Sequence, residues 1–418
     1  MPDKMESEKS PYRIGEQVQD VFQILNNNAA VKAGLECIKD NHPNTVDEMK
    51  KIVAIPAPTF KEQQRGEYFG KRLIELGLKD VQVDGVGNVY AIRSGNGSGP
   101  TILVDAHLDT VFEEDVDLIP VEKDGKIFAP GIGDDVAGLA NMLALLQGLQ
   151  AAGIETAGDI VFLGSVCHEG TGDLRGIKTF LNNHSEIAAA IHLEPVNGII
   201  YSATGSRRYE VVYTGPGGHS WIGFGLPNAI HAIGRAIAQI ADISVPQIPK
   251  TTFNIGIVNG GTSVNTIAPH ASLLLDMRSV SEEELLKLED SILPIFQQAA
   301  TEENARWGSE NGISVEIKKI GDRPAGAQPI DSIIVQSAAM AISVLGGEPR
   351  FAGSMSTNGN YTIKLGIPMV VLGSVEETGD THAKSEWIIP NHKKVQELFL
   401  MTLGLAGALG ISKPIIKK

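Results

Sequence analysis

The sequence predicts an α/β protein in which a mixed sheet with helices on both faces is interrupted by a smaller α+β domain. Four short continuous apolar runs, of the kind that forms buried parallel strands, lie far apart along the chain. Helical and strand patterns alternate from about residue 50 to 204 and again after residue 321, as a layered α/β domain requires. Between these stretches the order of elements becomes β-α-β-β-α-β, which is the split βαβ arrangement.

The bulk composition is that of a soluble globular protein. The chain has 418 residues, which is too long for one typical core, so two domains are expected. Apolar residues make up 42% and charged residues 20%, which is ordinary. The net charge of -15 argues against nucleic acid as a partner, because phosphate binding needs a basic face, and it suits an acidic cleft that collects cations.

The sequence gives no sign of export or of membrane insertion. Its first ten residues lack the apolar stretch of a signal peptide, and no run approaches the ~20 apolar residues of a membrane span. Two cysteines occur, Cys37 and Cys167, and a reduced chain is favoured over a single bridge between them. We therefore expect a cytoplasmic protein with neither a membrane nor a nucleic-acid partner.

Residues 1–205 and 321–418 are predicted to form the first domain, with residues 1–50 as a polar, helical, peripheral N-terminal arm. Residues 206–320 are predicted to form the inserted domain. Its predicted elements are, in chain order, strand 207–214, helix 228–242, strands 251–258 and 271–278, a helix from 281 to about 305, and strand 313–318. One of these strands is expected to lie at a sheet edge.

In the first domain, the stretch Asp134 to Gln150 has apolar residues at a helical period. Asp134 and Asp135 stand at the start of this predicted helix, where carboxylates favour the positive end of the helix dipole. An Asp at a helix start is usually only a cap, so the residue by itself does not indicate a metal ligand.

Each of the four apolar runs leads to a residue that can bind a divalent metal. The run from Thr101 ends at His107, with Asp109 two residues on, and the run from Ile160 leads to His168 and Glu169. The run from Ala188 ends at Glu194, and the run from Met369 leads through a polar loop to His382. In open α/β sheets, ligands collect outside the carboxyl ends of the strands. The sequence therefore predicts one polar site drawn from distant parts of the chain.

Six short motifs in this order resemble the M20 metallopeptidases, the co-catalytic zinc aminopeptidases, carboxypeptidases and aminoacylases. They are Asp105-Ala-His-Leu-Asp109, Gly131-Ile-Gly-Asp-Asp-Val-Ala-Gly138, His168-Glu-Gly170, Leu193-Glu-Pro195, Gly215-Pro-Gly-Gly-His-Ser220 and Thr381-His-Ala-Lys-Ser-Glu386. Any one motif is weak, but all six in the right order and spacing are specific. The resemblance spans roughly residues 50–405 and implies a zinc-binding α/β catalytic domain interrupted by a dimerising lid, here residues 206–320.

The resemblance implies a site for two divalent metal ions. His107 and Glu194 would bind one ion, Glu169 and His382 the other, and Asp134 would bridge them. Such ions lie about 3.5–4 Å apart and share a bridging water. Histidine and carboxylate ligands suit zinc, with manganese or cobalt as workable substitutes. Asp109 would accept the other ring N–H of His107 and so fix its tautomer.

One position departs from the family in a way that bears on the reaction. The family has a glutamate as general base where this chain has His168. Imidazole can perform general acid–base work near neutral pH, since its ordinary pKa is about 6.5. A protonated imidazole beside two metal ions is disfavoured, however. The alternative is therefore that His168 stays neutral and carries protons poorly. Two smaller departures are Val136, where many members have lysine, and Asn358, where the family usually has aspartate.

The resemblance also implies residues that contact the substrate. His219 would reach the partner subunit's site and hydrogen-bond the developing oxyanion, and the alternative is a turn histidine at the lid surface. Asn265 and Arg278 would bind a substrate carboxylate, and the alternative for Arg278 is a salt bridge at a sheet end. The loop flanked by Gly353 and Gly359 is a further candidate to lie against the substrate, and the alternative is that these glycines serve turn geometry only. Asn360, next to Gly359, is a further candidate substrate contact. A homodimer formed through the lid is expected.

These residues predict a two-metal-dependent hydrolase that cleaves an amide or peptide C–N bond of a small carboxylate-bearing substrate, through a metal-bridging water. Two alternatives stay open because His168 replaces the family's general base. One is a hydrolytic deaminase or aminohydrolase that acts on a non-peptide acid. The other is a catalytically impaired, metal-binding homologue, against which the complete set of five ligands argues.

Overall fold

The computed structural model describes residues 12–309 and 312–408. Within these ranges the chain divides into two compact units. The larger unit comprises residues 12–202, 327–353 and 357–408, and the smaller unit comprises residues 203–326 and 354–356. In the described ranges, no helix is both long enough and apolar enough to cross a membrane.

Helices and strands alternate along most of the chain. The helices are α1 (Glu16–Asn27), α2 (Ala29–Asp40), α3 (His42–Val53), α4 (Gln63–Glu75), α5 (Gly138–Ala151), α6 (Arg175–Asn183), α7 (Ala229–Ala241), α8 (Glu282–Trp307), α9 (Ile333–Val344), α10 (Gly359–Lys364) and α11 (His392–Ala408). The strands are β1 (Gln82–Val83), β2 (Val89–Arg93), β3 (Thr101–His107), β4 (Val121–Lys123), β5 (Lys126–Phe128), β6 (Ile160–Ser165), β7 (Ile187–Glu194), β8 (Ile199–Ile200), β9 (Ser202–Ala203), β10 (Gly205–Thr214), β11 (Gly218–His219), β12 (Thr251–Gly260), β13 (Thr266–Ile267), β14 (His270–Ser279), β15 (Ser314–Arg323), β16 (Gly326–Ala327), β17 (Met369–Gly373), β18 (Glu377–Gly379) and β19 (Trp387–Ile389).

The larger unit is built on a seven-stranded mixed sheet with the order β1-β2-β6-β3-β7-β17-β8. Neighbours among β6, β3, β7 and β17 pair in parallel, whereas β1, β2 and β8 pair antiparallel. The four parallel strands are the four apolar runs of the sequence, and they are almost entirely buried. The predicted mixed sheet is confirmed.

Helices cover both faces of this sheet. On β3, Val104 and Ala106 join a core that includes apolar side chains of α5, α9 and α11. Leu103, directly before Val104, joins a second core on the opposite face with apolar side chains of α6 and α10. Because successive side chains of a strand point to opposite faces, a strand buried on both faces reads as a continuous apolar run.

The N-terminal helices differ from the predicted peripheral arm. Helices α1 to α3 do form, but Phe22 and Leu25 of α1 are fully buried. Gly34 of α2 lies so close to Phe399 of α11 that a Cβ there would come within 2.5 Å of the ring. One apolar stripe on these otherwise polar helices therefore packs into the main core. Residues 1–11 of the predicted arm lie outside the described residues.

Helix α5 begins at Gly138, four residues after the predicted start at Asp134. Asp134 (φ -110°, ψ 88°) and Asp135 (φ -128°, ψ 37°) have non-helical backbones within a short π-helical segment, Ile132–Ala137. The amide of Asp134 donates to the carboxylate of Glu386 instead of entering a helix. Its side chain is thereby free to point into the site described below.

The smaller unit has the predicted β-α-β-β-α-β order, formed by β10, α7, β12, β14, α8 and β15. Its four-stranded antiparallel sheet has the order β12-β14-β10-β15, so β12 and β15 are the edge strands. Side chains of β10 and β14 pack against α7 and α8 to form a separate core. The split βαβ prediction is therefore confirmed for this unit.

Candidate metal centre

The candidate metal centre lies at the rim of the larger unit's sheet, where its parallel strands end. His107 is the last residue of β3, and Glu194 is the last residue of β7. His168 and Glu169 follow closely after β6, and the segment after β17 and β18 carries His382. Parallel strands bring their carboxyl ends to one edge, which explains why such distant residues meet.

Asp134 presents its carboxylate to two imidazoles. Its Oδ1 lies 2.9 Å from Nε2 of His107, and its Oδ2 lies 3.0 Å from Nε2 of His382. Nε2 of His382 also lies 3.1 Å from Oε1 of Glu169. Burial would raise the pKa of Asp134, but hydrogen bonds with the two histidines outweigh it and lower that pKa well below its usual range. Hydrogen bonds to Asp134 and Glu169 raise the pKa of His382 to about 10.

Three groups of side chains bring possible ligand atoms within 4.8 Å of one another. They are His107, Asp134 and Glu194; Asp134, Glu169 and His382; and His107, His168 and Glu169. The first two groups share Asp134 and coincide with the two ligand sets implied by the sequence motifs. The third group adds His168, which the sequence analysis assigned to the general base.

The donor chemistry of these groups fits a divalent metal such as zinc. Imidazole nitrogens and carboxylate oxygens converge, while the nearby thiol of Cys167 accepts a hydrogen bond from Arg175. Burial raises the pKa of Glu194 well above its usual value, and the carboxylates of Asp134 and Glu169 add to the effect. A bound cation would offset this crowding of buried negative charge, since buried charges need partners.

Asp109 lies at the other ring nitrogen of His107, as predicted, with its main-chain carbonyl closer than its carboxylate. Nδ1 of His107 lies 2.9 Å from the main-chain carbonyl oxygen of Asp109 and 3.6 Å from its carboxylate, so the carbonyl is the closer acceptor. The carboxylate accepts the amides of His168 and Glu169, both at 2.9 Å, and the hydroxyl of Thr59. Asp109 therefore fixes both the His107 ring and the backbone that carries the next two site residues.

Glu386 braces the segment that carries Asp134, a role that the sequence analysis missed. Its buried carboxylate accepts the backbone amides of Gly131 (3.1 Å), Gly133 (2.8 Å) and Asp134 (3.0 Å). Burial raises the pKa of Glu386 to about 7, and Asp134 adds to the rise while the three amides oppose it. Glu386 closes one of the six motifs, so its position was visible in the sequence although its contact was not.

The imidazole of His168 is held between two neighbours. Its ring stacks on that of His107, with the centroids 4.0 Å apart and the planes inclined by 15°. Its Nδ1 lies 3.1 Å from the carboxamide oxygen of Asn358, and its Nε2 lies 3.7 Å from Oε1 of Glu194. Asn358 in turn donates to Asp105 and Ser165, and this buried contact was also missed from sequence.

Asn360, a predicted substrate contact, is fully buried in the same turn. Its carboxamide oxygen accepts a hydrogen bond from the main-chain amide of Thr357 at 2.7 Å, and its own main-chain amide donates to the Thr357 carbonyl. Asn360 thus stabilises the turn that carries Asn358. A contact with substrate stays a prediction.

Three further predicted site residues lie in the smaller unit. His219 on β11 is exposed, and its Nδ1 accepts the amide of Trp221 at 3.2 Å. Asn265 is exposed as well, and its main-chain carbonyl accepts the amide of Ser220. Arg278 on β14 is exposed and donates to Asp276 at 2.7 Å, which is the salt bridge anticipated as its alternative role. Their contact with substrate stays a prediction.

Comparison with known proteins gives a family match over most of the chain. Residues 103–399 match the model of peptidase family M20/M25/M40. The succinyl-diaminopimelate desuccinylase of Corynebacterium glutamicum is 25% identical over 309 residues, which cover 71% of this chain and 81% of that protein.

Solved structures with the same fold include two peptidases. A tripeptidase from Staphylococcus aureus superposes with a TM-score of 0.70 at 23% identity, covering 87% of this chain and 97% of that chain. A dinuclear metal-binding peptidase of family M20 from Bacillus subtilis superposes with a TM-score of 0.63 at 18% identity, covering 88% and 98%.

Proposed function

Because the chain belongs to peptidase family M20/M25/M40, we propose that this hydrolase uses two metal ions to cleave an amide or peptide C–N bond of a small carboxylate-bearing substrate. The observation that carries the proposal is Asp134, whose two carboxylate oxygens each lie about one hydrogen-bond length from a different imidazole. A carboxylate in this position can bridge two cations.

His107, Glu194 and Asp134 would hold one ion, and Glu169, His382 and Asp134 would hold the other. Zinc is the first candidate, with manganese and cobalt as substitutes. When bound, such a pair of ions supplies an activated water and neutralises charge that develops on oxygen. Asp109 would keep the His107 ring in its orientation through the carbonyl contact described above.

His168 would act as the general base at the position where relatives carry glutamate. Its buried ring stacks on His107 and lies 3.7 Å from Glu194. It also belongs to one of the three groups of possible ligands, together with His107 and Glu169. A neutral imidazole there would accept a proton from the attacking water and return it to the leaving nitrogen. The backbone on which it depends is held by the carboxylate of Asp109.

The substrate side of the proposal uses residues of the smaller unit. Asn265 and Arg278 would bind a substrate carboxylate, for which the planar fork of arginine is suited. His219 would stabilise the developing oxyanion. Its Nδ1 accepts a backbone amide, which leaves the proton of the neutral ring on the exposed Nε2 as a donor. The relatives are compatible with this class, since a desuccinylase removes a carboxylate-bearing acyl group and a tripeptidase cleaves a short peptide.

A homodimer formed through the lid completes the proposal. The edge strand β12 exposes about half of each of the apolar side chains Ile257 and Val258. Pairing this edge with its copy would cover both side chains and satisfy its open hydrogen-bonding positions. Cys37 and Cys167 are both free, which is compatible with the cytoplasm as the compartment.

A second candidate function is a hydrolytic deaminase or aminohydrolase that acts on a non-peptide acid. The specific observation behind it is His168, because an imidazole at the base position need not serve the same bond as a carboxylate. The metal ligands would be the same for both reactions.

One experiment separates these functions. The purified chain is reconstituted with zinc or manganese, its metal content is measured by mass spectrometry, and it is assayed on dipeptides, N-acyl amino acids and aromatic amino acids. Two ions per chain with hydrolysis of a dipeptide or N-acyl amino acid would support the main proposal. Ammonia release from an aromatic amino acid alone would support the second candidate, and the absence of bound metal would reject both.

A further inference from the structure

Two residues that differ from the M20 motifs this sequence resembles are in direct contact. His168 stands where the family has glutamate, and Asn358 stands where it usually has aspartate. They are distant in sequence, yet Nδ1 of His168 lies 3.1 Å from Oδ1 of Asn358. Both side chains are at least nine-tenths buried, so water does not replace this contact.

The neighbours of Asn358 determine which way its carboxamide points. Its Nδ2 lies within hydrogen-bond distance of Oδ2 of Asp105 (2.5 Å) and Oγ of Ser165 (2.9 Å). Oδ2 of Asp105 is an acceptor, so it must face the NH₂ group of Asn358 and not its carbonyl oxygen. The carboxamide oxygen is therefore the atom that faces His168. If the carboxamide of Asn358 were flipped, its oxygen would lie against Oδ2 of Asp105, and neither atom could donate a hydrogen bond.

Asp105 is itself fixed by a third residue, so this orientation is not easily reversed. Oδ1 of Asp105 pairs with Nδ1 of His192 in a buried contact. Nε2 of His192 meets the hydroxyl of Thr362 at 2.9 Å. The carboxylate thus receives hydrogen bonds from His192 on one oxygen and from Asn358 on the other.

From these contacts we propose that Asn358 is a positioning residue that keeps a proton on Nδ1 of His168 and so presents Nε2 of the neutral ring as an acceptor toward the metal centre. A carbonyl oxygen can only accept, so the nitrogen that faces it must carry the hydrogen. Nε2 then lies on the side of Glu194, 3.7 Å from its Oε1.

An amide is the side chain that this position requires. It donates to Asp105 and Ser165 on one side and accepts from His168 on the other. An aspartate at 358 would set a second carboxylate against Asp105, and a leucine would satisfy neither neighbour. The catalytic use of Nε2 rests on the proposed function, whereas the position of the proton does not.

The first test is the nitrogen NMR spectrum of ¹⁵N-histidine-labelled, metal-free protein at about pH 8, above the ordinary imidazole pKa of about 6.5. The His168 signals are assigned by their loss in His168→Gln. We expect Nδ1 protonated and Nε2 unprotonated. If the ring is doubly protonated, the pH is raised until it is neutral, and a neutral ring with its proton on Nε2 would overturn the proposal.

The second test compares Asn358→Leu with the matched control Thr362→Val. The control removes a hydroxyl that contacts Nε2 of His192 and lies 3.4 Å from the main-chain carbonyl of Asn358, and it leaves the carboxamide of Asn358 and its contact with His168 in place. We expect Asn358→Leu to move the His168 proton toward Nε2, and Thr362→Val to leave it on Nδ1. An Asn358→Leu spectrum identical to that of the wild type would contradict the proposal.

Activity provides a separate readout. In the reconstituted enzyme we expect Asn358→Leu to lower kcat about 10–100-fold with KM little changed, which is the usual effect of losing a partner one step removed from a metal centre. If Asn358→Leu does not fold, the wild-type spectrum still decides the proposal. If the wild type turns over no substrate, the proposed function fails while the spectrum continues to decide the tautomer.

Discussion

The rings of His107 and His168 stack face to face, with centroids 4.0 Å apart. His107 turns its Nε2 toward Asp134, whereas His168 turns its Nε2 toward Glu194. The two rings therefore serve different parts of the centre, and the second can be removed without removing one of the five proposed ligands. This separation makes His168 the most informative residue to change.

We expect His168→Ala to lower kcat by about 10²–10⁴-fold, the usual contribution of a general base, with the metal content unchanged at up to two ions per chain. Steady-state kinetics and metal analysis of the same samples measure both quantities. His231→Ala, at an exposed histidine of α7, is the control and should match the wild type. A full rate in His168→Ala would show that histidine is not the base.

His168→Glu introduces the glutamate implied by the M20 motifs that this sequence resembles, and we expect it to hydrolyse a dipeptide faster than the wild type. A carboxylate there recovers the family's proton carrier, although it leaves Asn358 without its imidazole partner. Initial rates on the same dipeptide, with zinc supplied to both proteins, make the comparison. An unchanged or lower rate would mean that the base alone does not limit peptide hydrolysis.

Asp134→Asn should reduce the metal content from two ions per chain to one or none, because an amide carries no charge with which to bridge two cations. The matched change is Asp135→Asn at the next residue, which lies outside the three groups of possible ligands. Burial raises the pKa of Asp135 well above its usual value, so a neutral amide resembles its resting state. Mass spectrometry after reconstitution should find both ions in Asp135→Asn. Equal losses in the two variants would argue against a bridging role for Asp134 alone.

Glu397 on α11 offers a test of pH-dependent stability away from the metal centre. Burial raises the pKa of this carboxyl, and the nearby ammonium of Lys394 only partly opposes the rise. The folded state therefore binds the proton more tightly than the unfolded state, whose pKa is about 4.3, and stability falls as pH rises through the folded pKa.

Glu397→Gln removes this titration, so the variant should be more stable than the wild type at pH 7, by about 1.4 kcal/mol for each unit of the pKa rise. The advantage should shrink as the pH approaches 4. Urea unfolding at several pH values measures it. Glu36→Gln, at an exposed residue, is the control and should change stability by no more than about 0.5 kcal/mol. Destabilisation by Glu397→Gln at pH 7 would contradict the prediction.

Ile257→Lys tests the proposed lid dimer. Ile257 is 49% exposed on the edge strand β12, and a lysine at an edge opposes strand pairing. We expect a dimeric wild type and a monomeric variant by analytical ultracentrifugation. Ile248→Lys changes a more exposed isoleucine that precedes β12, and it should stay dimeric. A monomeric wild type would remove the dimer from the proposal.

The parts of this structure that the sequence predicts are those with a strong local signal. Strands β3, β6, β7 and β17 are buried on both faces, so each appears as a continuous apolar run. Their polar last residues then meet because parallel strands end at one edge. The order of elements in the smaller unit follows from alternation and helical period in the same way.

The parts that were missed depend on contacts between distant loops. Asp134 looks like a helix cap in sequence, but its backbone is non-helical and its amide donates to Glu386, a contact between distant segments that no local pattern reveals. The contact between His168 and Asn358 also joins two loops that are distant in sequence, so no local pattern reveals it. The sequence of α1 shows a polar helix with one apolar stripe, but it does not show whether another part of the protein buries that stripe.

The position of Glu386 has a consequence for biosynthesis. It follows His382 by four residues, and it fastens the backbone on which Asp134 stands. A ribosome must therefore synthesise residue 386 before the last of the five proposed ligands and the Glu386 contact with Asp134 are both available. His107, Asp134, Glu169 and Glu194 are synthesised before that point, so the two proposed metal sites can be complete only after residues 382 and 386 have been added.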